Sequence, residues 1–524
     1  MKKYFTVITA SGEQAVPVGA GDVMARSLFR AGYFVGAPLC AGLGRCGRCR
    51  VRYLTPPPTP LPAEVRRLGE AALAEGWRLA CLRPAQGGER LTLDATGPAP
   101  TYDPAAVTGS LGGDGPLGLA VDIGTTGLAW RLVDLADGSV AAEGRGVNPQ
   151  LGAGGEVVSR LAFALEPGGG AYLRDLVLDV IAQKAALAGD RLAGLCVAGN
   201  SAMVSILCGK ELSGLAHAPY GLVWRAGEEV ALGRALPPAY IPPLLGPFVG
   251  ADLSAGLTAL LRQAPTYPFL LADLGTNAEM IVGLAPDRFL AASAPLGPAL
   301  EGVGLSQGAL AGPGVAVSFE LTPTGVVPVL FPGSDAPGAA HGIAGPGYLS
   351  LAALLREQGV LDTDGRFAQT PAPTPLGQRL RRLVATEHGE PVFETAGYRL
   401  FASDVEELLK VKAACNLAVA SLLGAAGLST ADLAGVHLAG AFGAKVAPDD
   451  LESLGFFPPG LAGRVHVAGN LSLAGATLFL TAPLARATAE ALPAVTTIVP
   501  LVDASGTSDA SDAFIRRMVF AYVP

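Results

Sequence analysis

Four cysteines are the first residues in this sequence whose type and spacing could do chemistry. Three of them, Cys40, Cys46 and Cys49, share the ten-residue segment CAGLGRCGRC, and Cys81 follows after 31 intervening residues. A structural zinc site usually takes two close pairs of ligands, whereas here three ligands share one loop and the fourth is remote. This arrangement favours a 2Fe–2S cluster. A zinc site and a set of unrelated buried cysteines are the two alternatives.

The loop that carries the first three cysteines has the spacing C-x5-C-x2-C. Its first interval is one residue longer than in plant-type ferredoxins and equals the adrenodoxin-type interval. Gly42, Gly44 and Gly47 suit a loop whose backbone N–H groups turn toward cluster sulfurs. The remaining cysteines lie in apolar sequence and are expected to be small buried hydrophobes: Cys196, Cys208 and Cys415.

Two matching turns are the next candidates for chemistry. The segments VDIGTT (121–126) and ADLGTN (272–277) each place an aspartate at the end of an apolar strand, followed by Gly, Thr and a further hydroxyl or amide. Glycine allows close approach to the backbone, N–H groups and threonine hydroxyls can bind phosphate oxygens, and an aspartate can hold Mg2+ through water. Two such turns facing each other would clamp a nucleotide. The alternative is two unrelated turns.

The two turns give a nucleotide site with named residues. Asp122 and Asp273 are the candidate catalytic residues. Gly440 and Gly443 in the segment HLAGAFG would supply a third element against adenosine, with helix–strand packing as the alternative. The candidate nucleotide-binding residues of the two turns are Gly124, Thr125, Thr126, Gly275, Thr276 and Asn277.

Composition and missing motifs exclude several classes of function. The net charge of -8 argues against a nucleic-acid partner. The sequence has neither a P-loop nor an H-E-x-x-H motif, and its five histidines are too scattered for a triad. There is no run of 18 apolar residues to predict a membrane span, and the start MKKYFTVITASGEQ turns polar too early for a signal peptide. Because the cysteines are predicted to bind metal rather than form disulfides, a cytoplasmic protein is expected.

The order of the predicted elements divides the 524 residues into three parts. Residues 1–94 contain a strand pair, a helix, the cysteine loop and further strands, including one that carries Cys81, which is the order of a β-grasp ferredoxin-like domain. Residues 95–116 are rich in Pro and Gly and are predicted to be a linker, either mobile or laid down on the next domain. Residues 117–524 alternate strands and helices in two halves that start alike, with a boundary near residue 262. This predicts a duplicated α/β architecture.

Four arginines surround the cysteine loop: Arg45, Arg48, Arg50 and Arg52. On an acidic protein such a basic patch could dock an acidic redox partner. The alternative is that the arginines only solvate an exposed loop.

Taken together, these motifs resemble those of one family. The cysteine motif with Cys81, and the segments DIGTTG, GNSAM, DLGTNAE, GPALEG, LAGAFG and GNLSLAGA, are similar to those of the reductive activators of corrinoid proteins. In that family a 2Fe–2S ferredoxin domain is joined to an ATPase with the fold of acetate and sugar kinases, Hsp70 and actin (ASKHA). The resemblance covers nearly the whole chain.

The resemblance implies an ATP-dependent one-electron donor that returns corrinoid methyltransfer proteins from inactive Co(II) to Co(I). It implies a 2Fe–2S cluster, ATP and Mg2+ as cofactors, and a corrinoid protein and an upstream low-potential reductant as partners. It is also compatible with a homodimer. Two other classes of function stay open: a redox-gated small-molecule kinase, and an electron shuttle that needs no ATP.

The chain departs from the family pattern at three places. Larger members have a middle segment before the first phosphate turn, whereas here Leu117 is expected to begin the ATPase almost at once. The segment GNSAMVS stands where related sequences tend to have GNTTM followed by His, and Glu156 stands where Asp is usual. None of these departures affects the cysteines or the two phosphate turns.

Overall fold

The structure, a computed structural model, describes residues 3–93, 114–332, 342–501 and 508–524, apart from residues 11, 20, 41, 388, 444 and 483. The predicted linker, residues 95–116, therefore lies outside the described residues as far as residue 113. The described chain forms a five-stranded sheet, two six-stranded sheets and two small sheets of two and three strands.

The N-terminal region is a five-stranded mixed sheet with two helices. Its strand order is β2-β1-β5-β3-β4, with β1 antiparallel to β2 and parallel to β5. Phe5 and Val7 occupy alternate positions of β1 and share an apolar core with Leu28 of α1, as expected for one face of a strand. The elements are β1 (Tyr4–Thr9), β2 (Gly12–Pro17), α1 (Met24–Arg30), β3 (Arg50–Tyr53), α2 (Pro62–Ala74), β4 (Trp77–Leu79) and β5 (Arg90–Leu93).

Cys81 lies in a short 3-10 turn, Ala80–Leu82, and not in the strand that was predicted to carry it. The pairing of β4 with β3 ends at Leu79, opposite Arg50. The backbone N–H of Ala80 then donates to the carbonyl of Cys49 at 2.8 Å, which brings the turn against the cysteine loop.

A six-stranded sheet follows, in the order β10-β11-β9-β6-β7-β8. Strands β6, β7 and β8 form an antiparallel meander, and β9 lies parallel to β6. Strand β6 is apolar along almost its whole length because both of its faces are covered. The elements are β6 (Leu117–Ile123), β7 (Gly127–Asp134), β8 (Val140–Val147), α3 (Val157–Ala164), α4 (Gly169–Ala185), β9 (Leu192–Gly199), α5 (Ser201–Leu207), α6 (Ser213–Ala216), β10 (Glu228–Val230), β11 (Ala239–Ile241) and α7 (Ala251–Leu261).

The second six-stranded sheet has the order β21-β20-β12-β13-β14-β22. It repeats the meander of the first sheet, with β20 parallel to β12. The elements are β12 (Phe269–Leu274), β13 (Asn277–Ala285), β14 (Arg288–Pro295), β15 (Ala316–Thr322), β16 (Gly325–Leu330), α8 (Gly345–Glu357), α9 (Pro375–Arg381), β17 (Val384–Glu387), β18 (Glu390–Thr395), β19 (Tyr398–Phe401), α10 (Ala402–Ala426), β20 (Gly435–Ala439), α11 (Gly440–Gly443), α12 (Pro448–Ser453), β21 (Val465–Gly469), α13 (Leu471–Thr481), α14 (Leu484–Val495), β22 (Thr496–Ile498) and α15 (Ser508–Arg516).

Helices α7 and α13 lie between the two large sheets and pack against each other. Leu257 of α7 belongs to an apolar cluster with Phe269 and Ile281 of the second sheet. Phe479 of α13 belongs to a cluster with Ala120 of the first sheet, although α13 comes from the C-terminal part of the chain. A helix from the C-terminal part of the chain thus packs on the first sheet, while the strands of the two large sheets come from sequence on either side of residue 262.

Helix α10 is, among the described residues, the one helix long and apolar enough to cross a membrane by length and composition. Most of it is buried inside the protein, where it packs against β13 and β14. Its apolar character is explained by this position in the core of the second half.

Candidate functional site

The four candidate cluster cysteines meet in one cavity. Cys40, Cys46, Cys49 and Cys81 all line it, and all four side chains are buried. The backbone N–H of Cys46 donates to Cys40 Sγ at 3.5 Å. Thiol hydrogen bonds join Cys40 to Cys46 and to Cys81, and Cys49 to Cys81. The structure thus brings the remote fourth cysteine to the other three, as the spacing predicts.

The cysteine loop turns back on itself through glycine. Gly42, Gly44 and Gly47 have positive φ angles of 91°, 68° and 68°, a region that side chains with a Cβ rarely adopt. Within the described residues, no group of three or more His, Cys, Asp or Glu side chains is arranged to hold a single metal ion. A 2Fe–2S cluster does not require such a group, because it takes four thiolates spread over two irons. The donor set of the cavity fits that cluster.

Hydrogen bonding among the thiols gives them different pKa values. Donation from Cys46 lowers the pKa of Cys40, and donation from Cys81 lowers the pKa of Cys49. The same bonds raise the pKa of Cys46 and of Cys81, because these two thiols act as donors. Four thiols packed this closely cannot all ionise without a positive charge between them. Bound iron would supply that charge.

Two of the four loop arginines contact the second half of the protein. Arg45 forms an ion pair with Glu407 at 2.5 Å, and Arg48 donates to the carbonyl of Gly308 at 2.5 Å. Burial lowers the pKa of Arg48, whose guanidinium lies within electrostatic range of Cys46. These contacts join the cysteine loop to elements about 260 and 360 residues further along the chain.

The other two arginines stay on the N-terminal region. The guanidinium of Arg50 stacks over the Trp77 ring at 4.9 Å, and Arg52 Nε donates to the carbonyl of Glu75 at 3.1 Å. The four arginines therefore do not form the single exposed patch expected from the sequence. Two of them connect domains, because acceptors from the second half lie against the loop.

The two predicted phosphate turns face each other across one cleft. Its volume is about 550 Å³, and strands of both large sheets form its walls. Of the predicted nucleotide-site residues, the following line it: Asp122, Gly124, Thr125, Thr126, Asp273, Gly275, Thr276, Asn277 and Gly440.

Hydroxyl and amide groups connect the two turns at the cleft. The hydroxyl oxygens of Thr126 and Thr276 lie 3.3 Å apart, although 150 residues separate them in sequence. Thr276 Oγ1 donates to Glu301 Oε2 at 3.1 Å, and Asn200 Nδ2 donates to Thr125 Oγ1 at 3.0 Å. The three threonines are thus oriented by neighbours, which suits them to bind phosphate oxygens.

The carboxylates of the cleft lie close together and are half-buried. Asp122 accepts hydrogen bonds from Asn470 Nδ2 at 2.7 Å and Ser472 Oγ at 2.8 Å, and burial raises its pKa. Burial, together with the charge of Asp122, raises the pKa of Asp273 to about 7. Burial and the charges of both aspartates raise the pKa of Asp252 to about 8. A bound cation would offset this mutual repulsion.

Two glutamates extend the acidic group. Burial, followed by the charges of Asp252 and Asp273, raises the pKa of Glu279 well above its ordinary value. Burial also raises the pKa of Glu301 to about 7. Oxygen ligands of this kind are those that Mg2+ prefers, so the cleft fits a nucleotide bound with Mg2+.

Gly440 and Gly443 have different roles in the one-turn helix α11. Gly440 has a φ of 88°, and a Cβ there would lie 2.4 Å from Asp273 Oδ1, so glycine lets the chain pass this carboxylate. Gly443 does not line the cleft, and a Cβ there would lie 2.8 Å from Leu438. For Gly443 the structure favours the packing alternative over contact with adenosine.

Sequence reasoning missed several cleft residues. Most of them lie inside segments already singled out, such as GNSAM, GPALEG and GNLSLAGA, but no role was assigned to them. Asp252 lies in no such segment and reaches the cleft as the second residue of α7. Gly345 and Pro346 open α8 at the wall of the cleft. The missed residues are Asn200, Asp252, Glu279, Glu301, Asn470 and Ser472.

Two family models match consecutive parts of the chain. One describes the RACo middle region and matches residues 117–262; the other describes the C-terminal domain of RACo, the ASKHA domain, and matches residues 268–522. The chain belongs to the RACo family, the reductive activators of corrinoid proteins. Residues 117–262 are thus the RACo family's middle region, and the first phosphate turn, 121–126, lies inside it.

Curated relatives and a solved structure agree with this assignment. The corrinoid activation enzyme RamQ of Eubacterium limosum is 29% identical over 73% of this chain and 67% of its own length. The [Co(II) methylated amine-specific corrinoid protein] reductase of Methanosarcina barkeri is 28% identical over 68% of each chain. A solved reductive activator for corrinoid,iron-sulfur protein shares the fold, with a TM-score of 0.65 over 98% of both chains at 20% identity.

A shorter similarity is to a subunit of a quinone reductase. One component of the Na(+)-translocating NADH-quinone reductase of Mannheimia succiniciproducens is 35% identical over 69 residues, which are 13% of this chain and 17% of that protein.

Proposed function

We propose that this protein is an ATP-dependent one-electron reductive activator that returns a corrinoid methyltransfer protein from inactive Co(II) to Co(I). The observation that carries the proposal is the presence, in one chain, of a cavity lined by four thiols and a cleft lined by two phosphate turns. The names of the two long relatives support a corrinoid protein as the partner. An upstream low-potential reductant and a cytoplasmic location remain predictions from the sequence.

The N-terminal region would be the electron-transfer module, a β-grasp 2Fe–2S ferredoxin-like domain. Cys40, Cys46, Cys49 and Cys81 would hold the cluster. When bound, the cluster would act as a one-electron carrier, with a reduction potential of about −400 mV for the plant type. The buried position of the thiols would keep water from a bound cluster, and the hydrogen bond from Ala80 to Cys49 holds the turn that carries Cys81 against the loop.

The cleft would bind ATP between two halves of a duplicated ASKHA domain. The shared meander and parallel fourth strand of the two large sheets support the duplication. Thr125, Thr126 and Thr276 would bind phosphate oxygens, together with the backbone of Gly124 and Gly275 and the amide of Asn277. Asp122 and Asp273 would hold Mg2+ and organise water.

ATP is needed because the electron transfer is uphill. Each deficit of about 59 mV costs a factor of ten in a one-electron equilibrium. ATP can shift that equilibrium only through states of the protein that differ in affinity for the partner or in the cobalt geometry they favour. We therefore expect the ATP-bound protein to bind the Co(II) partner tightly and ATP hydrolysis to release it.

The Asp273→Asn variant tests the proposal. ATP hydrolysis should fall by about 100-fold or more, because the variant removes a carboxylate that organises Mg2+. Formation of Co(I) should fall in parallel, followed anaerobically by its absorption band with excess low-potential reductant and MgATP. Reduction of cytochrome c should persist, because that transfer is downhill from the cluster.

Asp287→Asn is the matched control, since Asp287 is an exposed aspartate in the turn between β13 and β14. It should leave hydrolysis and Co(I) formation unchanged. If Asp273→Asn makes Co(I) as fast as the wild type, the ATP-independent shuttle is the better description. If the wild type ignores the corrinoid protein and phosphorylates a small acid or sugar, the protein is a kinase.

A further inference from the structure

The N-terminal region is anchored to the first half by apolar contacts. Phe29 of α1 is fully buried, with its ring 5.4 Å from that of Phe163 and 5.3 Å from that of Tyr172. The Tyr172 hydroxyl donates to the carbonyl of Phe29 at 2.7 Å, and Arg26 pairs with Glu166 at 2.5 Å. This interface includes a side chain of one domain in the core of the other, so it resists separation.

The junction with the second half is polar by contrast. Arg67 of α2 donates to the carbonyl of Cys46 at 3.2 Å and to that of Ser306 at 2.8 Å. Arg48, from the cysteine loop, donates to the carbonyl of Gly308. Two arginines thus connect the backbone around a cluster cysteine to a segment only three residues long.

That segment continues directly from the nucleotide cleft. Glu301, which accepts from Thr276, begins a stretch that reaches Gly308 within seven residues. Ser306 is held in between by Asp404 of α10, which accepts from its backbone N–H at 2.7 Å and from its hydroxyl. We name residues 301–308 the bridge segment, because one end contacts a phosphate turn and the other contacts Arg48 of the cysteine loop and Arg67 of α2.

We propose that Arg48 and Arg67 are positioning residues that couple nucleotide binding to the placement of the cysteine loop; this inference rests on the proposed function. A nucleotide held by both phosphate turns fixes the two halves relative to each other. The N-terminal region moves with the first half because of Phe29, so its arginines meet the bridge segment only in that closed arrangement. Such coupling is reciprocal, and losing the arginine contacts must weaken nucleotide binding.

The test uses the full-length, iron-loaded protein and a non-hydrolysable ATP analogue with Mg2+. Calorimetry should show binding at least about fivefold weaker in the double variant Arg48→Ala/Arg67→Ala than in the wild type. Neither arginine lines the cleft, so the loss cannot come from direct contact with the nucleotide. Arg90→Ala removes an exposed arginine of β5 that pairs with Glu13, and it should bind like the wild type. Arg67→Lys, which keeps a donor, should retain more affinity than Arg67→Ala.

A second readout follows the cluster itself. Adding the analogue should change the visible circular dichroism of the wild-type cluster, and the double variant should lose this change while keeping its iron. Full iron content with wild-type affinity and a wild-type dichroism change would overturn the inference and leave the proposed function intact. A wild type that holds no iron or binds no nucleotide would instead refute the proposed function.

A third variant keeps the inference testable if the double variant loses its iron. Arg45→Ala removes the ion pair with Glu407 at the same junction and keeps the backbone N–H of residue 45, which is the group that bonds to Cys40. Arg45 and Arg90 are equally exposed, at 51% and 50%, so the two alanine variants are matched. Arg45→Ala should weaken analogue binding about twofold, a size usual for an exposed ion pair, and Arg90→Ala should not. Equal affinities of these two variants would count against the coupling.

Discussion

At the scale of single residues, Cys81 shows how a distant side chain is delivered to a site. It reaches the cavity because β4 pairs with β3, and because Ala80 then bonds to Cys49. The spacing of the first three cysteines is a local signal that can be recognised in the sequence. The position of the fourth depends on strand pairing, so the sequence indicated its role but placed it in a strand and not in the turn that follows.

Cys81→Ser should therefore lose or destabilise the bound iron, although it lies far from the loop in sequence. Wild-type protein purified anaerobically should contain about two irons per chain. Cys208→Ser is the control, since Cys208 lies in the first half away from the cavity, and its iron content should match the wild type. Iron analysis and the visible spectrum measure both. Stoichiometric zinc in a colourless protein would contradict the cluster assignment.

The cleft carboxylates predict a dependence of stability on pH. The pKa of Asp252 has its ordinary value of 3.8 in the unfolded chain and is raised to about 8 in the folded protein. Between these values the folded state binds more protons, so the free energy of unfolding falls as the pH rises. We expect the Tm of protein free of Mg2+ and nucleotide to be lower at pH 8 than at pH 6.

Two comparisons check the cause of this pH dependence. Asp252→Asn should flatten the dependence of Tm on pH between 6 and 8, because it removes an aspartate whose pKa is strongly raised. Mg2+ should raise the Tm more at pH 8 than at pH 6, since ionised carboxylates bind the cation. A wild-type Tm that rises from pH 6 to pH 8 would show that these groups do not control stability in this range.

At the scale of elements, the junction of β20 and α11 requires glycine because the backbone passes close to a carboxylate of the cleft. Gly440→Ala would combine a left-handed φ with a Cβ 2.4 Å from Asp273 Oδ1. Gly460 has a φ of 85° and open space around it, so Gly460→Ala carries the conformational strain alone. We expect Gly440→Ala to lower the free energy of unfolding by about 1–3 kcal/mol more than Gly460→Ala.

ATP hydrolysis should separate these two glycine variants further. Gly440→Ala displaces a carboxylate that is proposed to hold Mg2+, whereas Gly460→Ala lies outside the cleft. Urea unfolding and a phosphate-release assay measure the two effects. Equal stability and equal hydrolysis in both variants would show that the approach of Gly440 to Asp273 has no consequence.

Element patterns also set the limit of what the sequence could predict. The two phosphate turns could be found because an apolar strand, Asp, Gly and Thr are neighbours in sequence. Asp252 could not be found, since an acidic second residue is common in helices and its approach to Asp273 depends on tertiary packing. Arg45 was expected to face solvent or a redox partner, but its acceptor Glu407 is 362 residues away. Local chemistry was predictable, and contacts between domains were not.

At the scale of the whole molecule, the N-terminal region contacts both halves in this structure. The sequence left open whether the linker lets this region move or holds it on the next domain. The burial of Phe29 favours the second alternative. If the N-terminal region left the interface, Phe29 would become exposed and would lose its contacts with two aromatic rings. Fully burying a side chain of this kind is worth about 1.5–3 kcal/mol.

Limited proteolysis distinguishes the two alternatives. If a protease cuts between residues 95 and 113, we expect the iron-bearing N-terminal fragment to stay bound and to co-elute with the rest on gel filtration. Phe29→Ala should let the nicked fragment separate, because the apolar anchor is lost. Tyr4→Ala is the control, since Tyr4 is an exposed aromatic residue of the same region. Release of the fragment from nicked wild type would indicate a freely moving module.

The packing of α13 on the first sheet has a consequence for how the protein is made. Asp122 receives its hydrogen bond from Asn470, which is translated 348 residues later. At about 5–20 residues per second, a ribosome needs on the order of 20–70 s to cover that distance. All four cysteines of the cavity have been translated once Cys81 has been added to the chain, so they leave the ribosome early. The proposed cluster site can therefore be complete well before the nucleotide cleft exists.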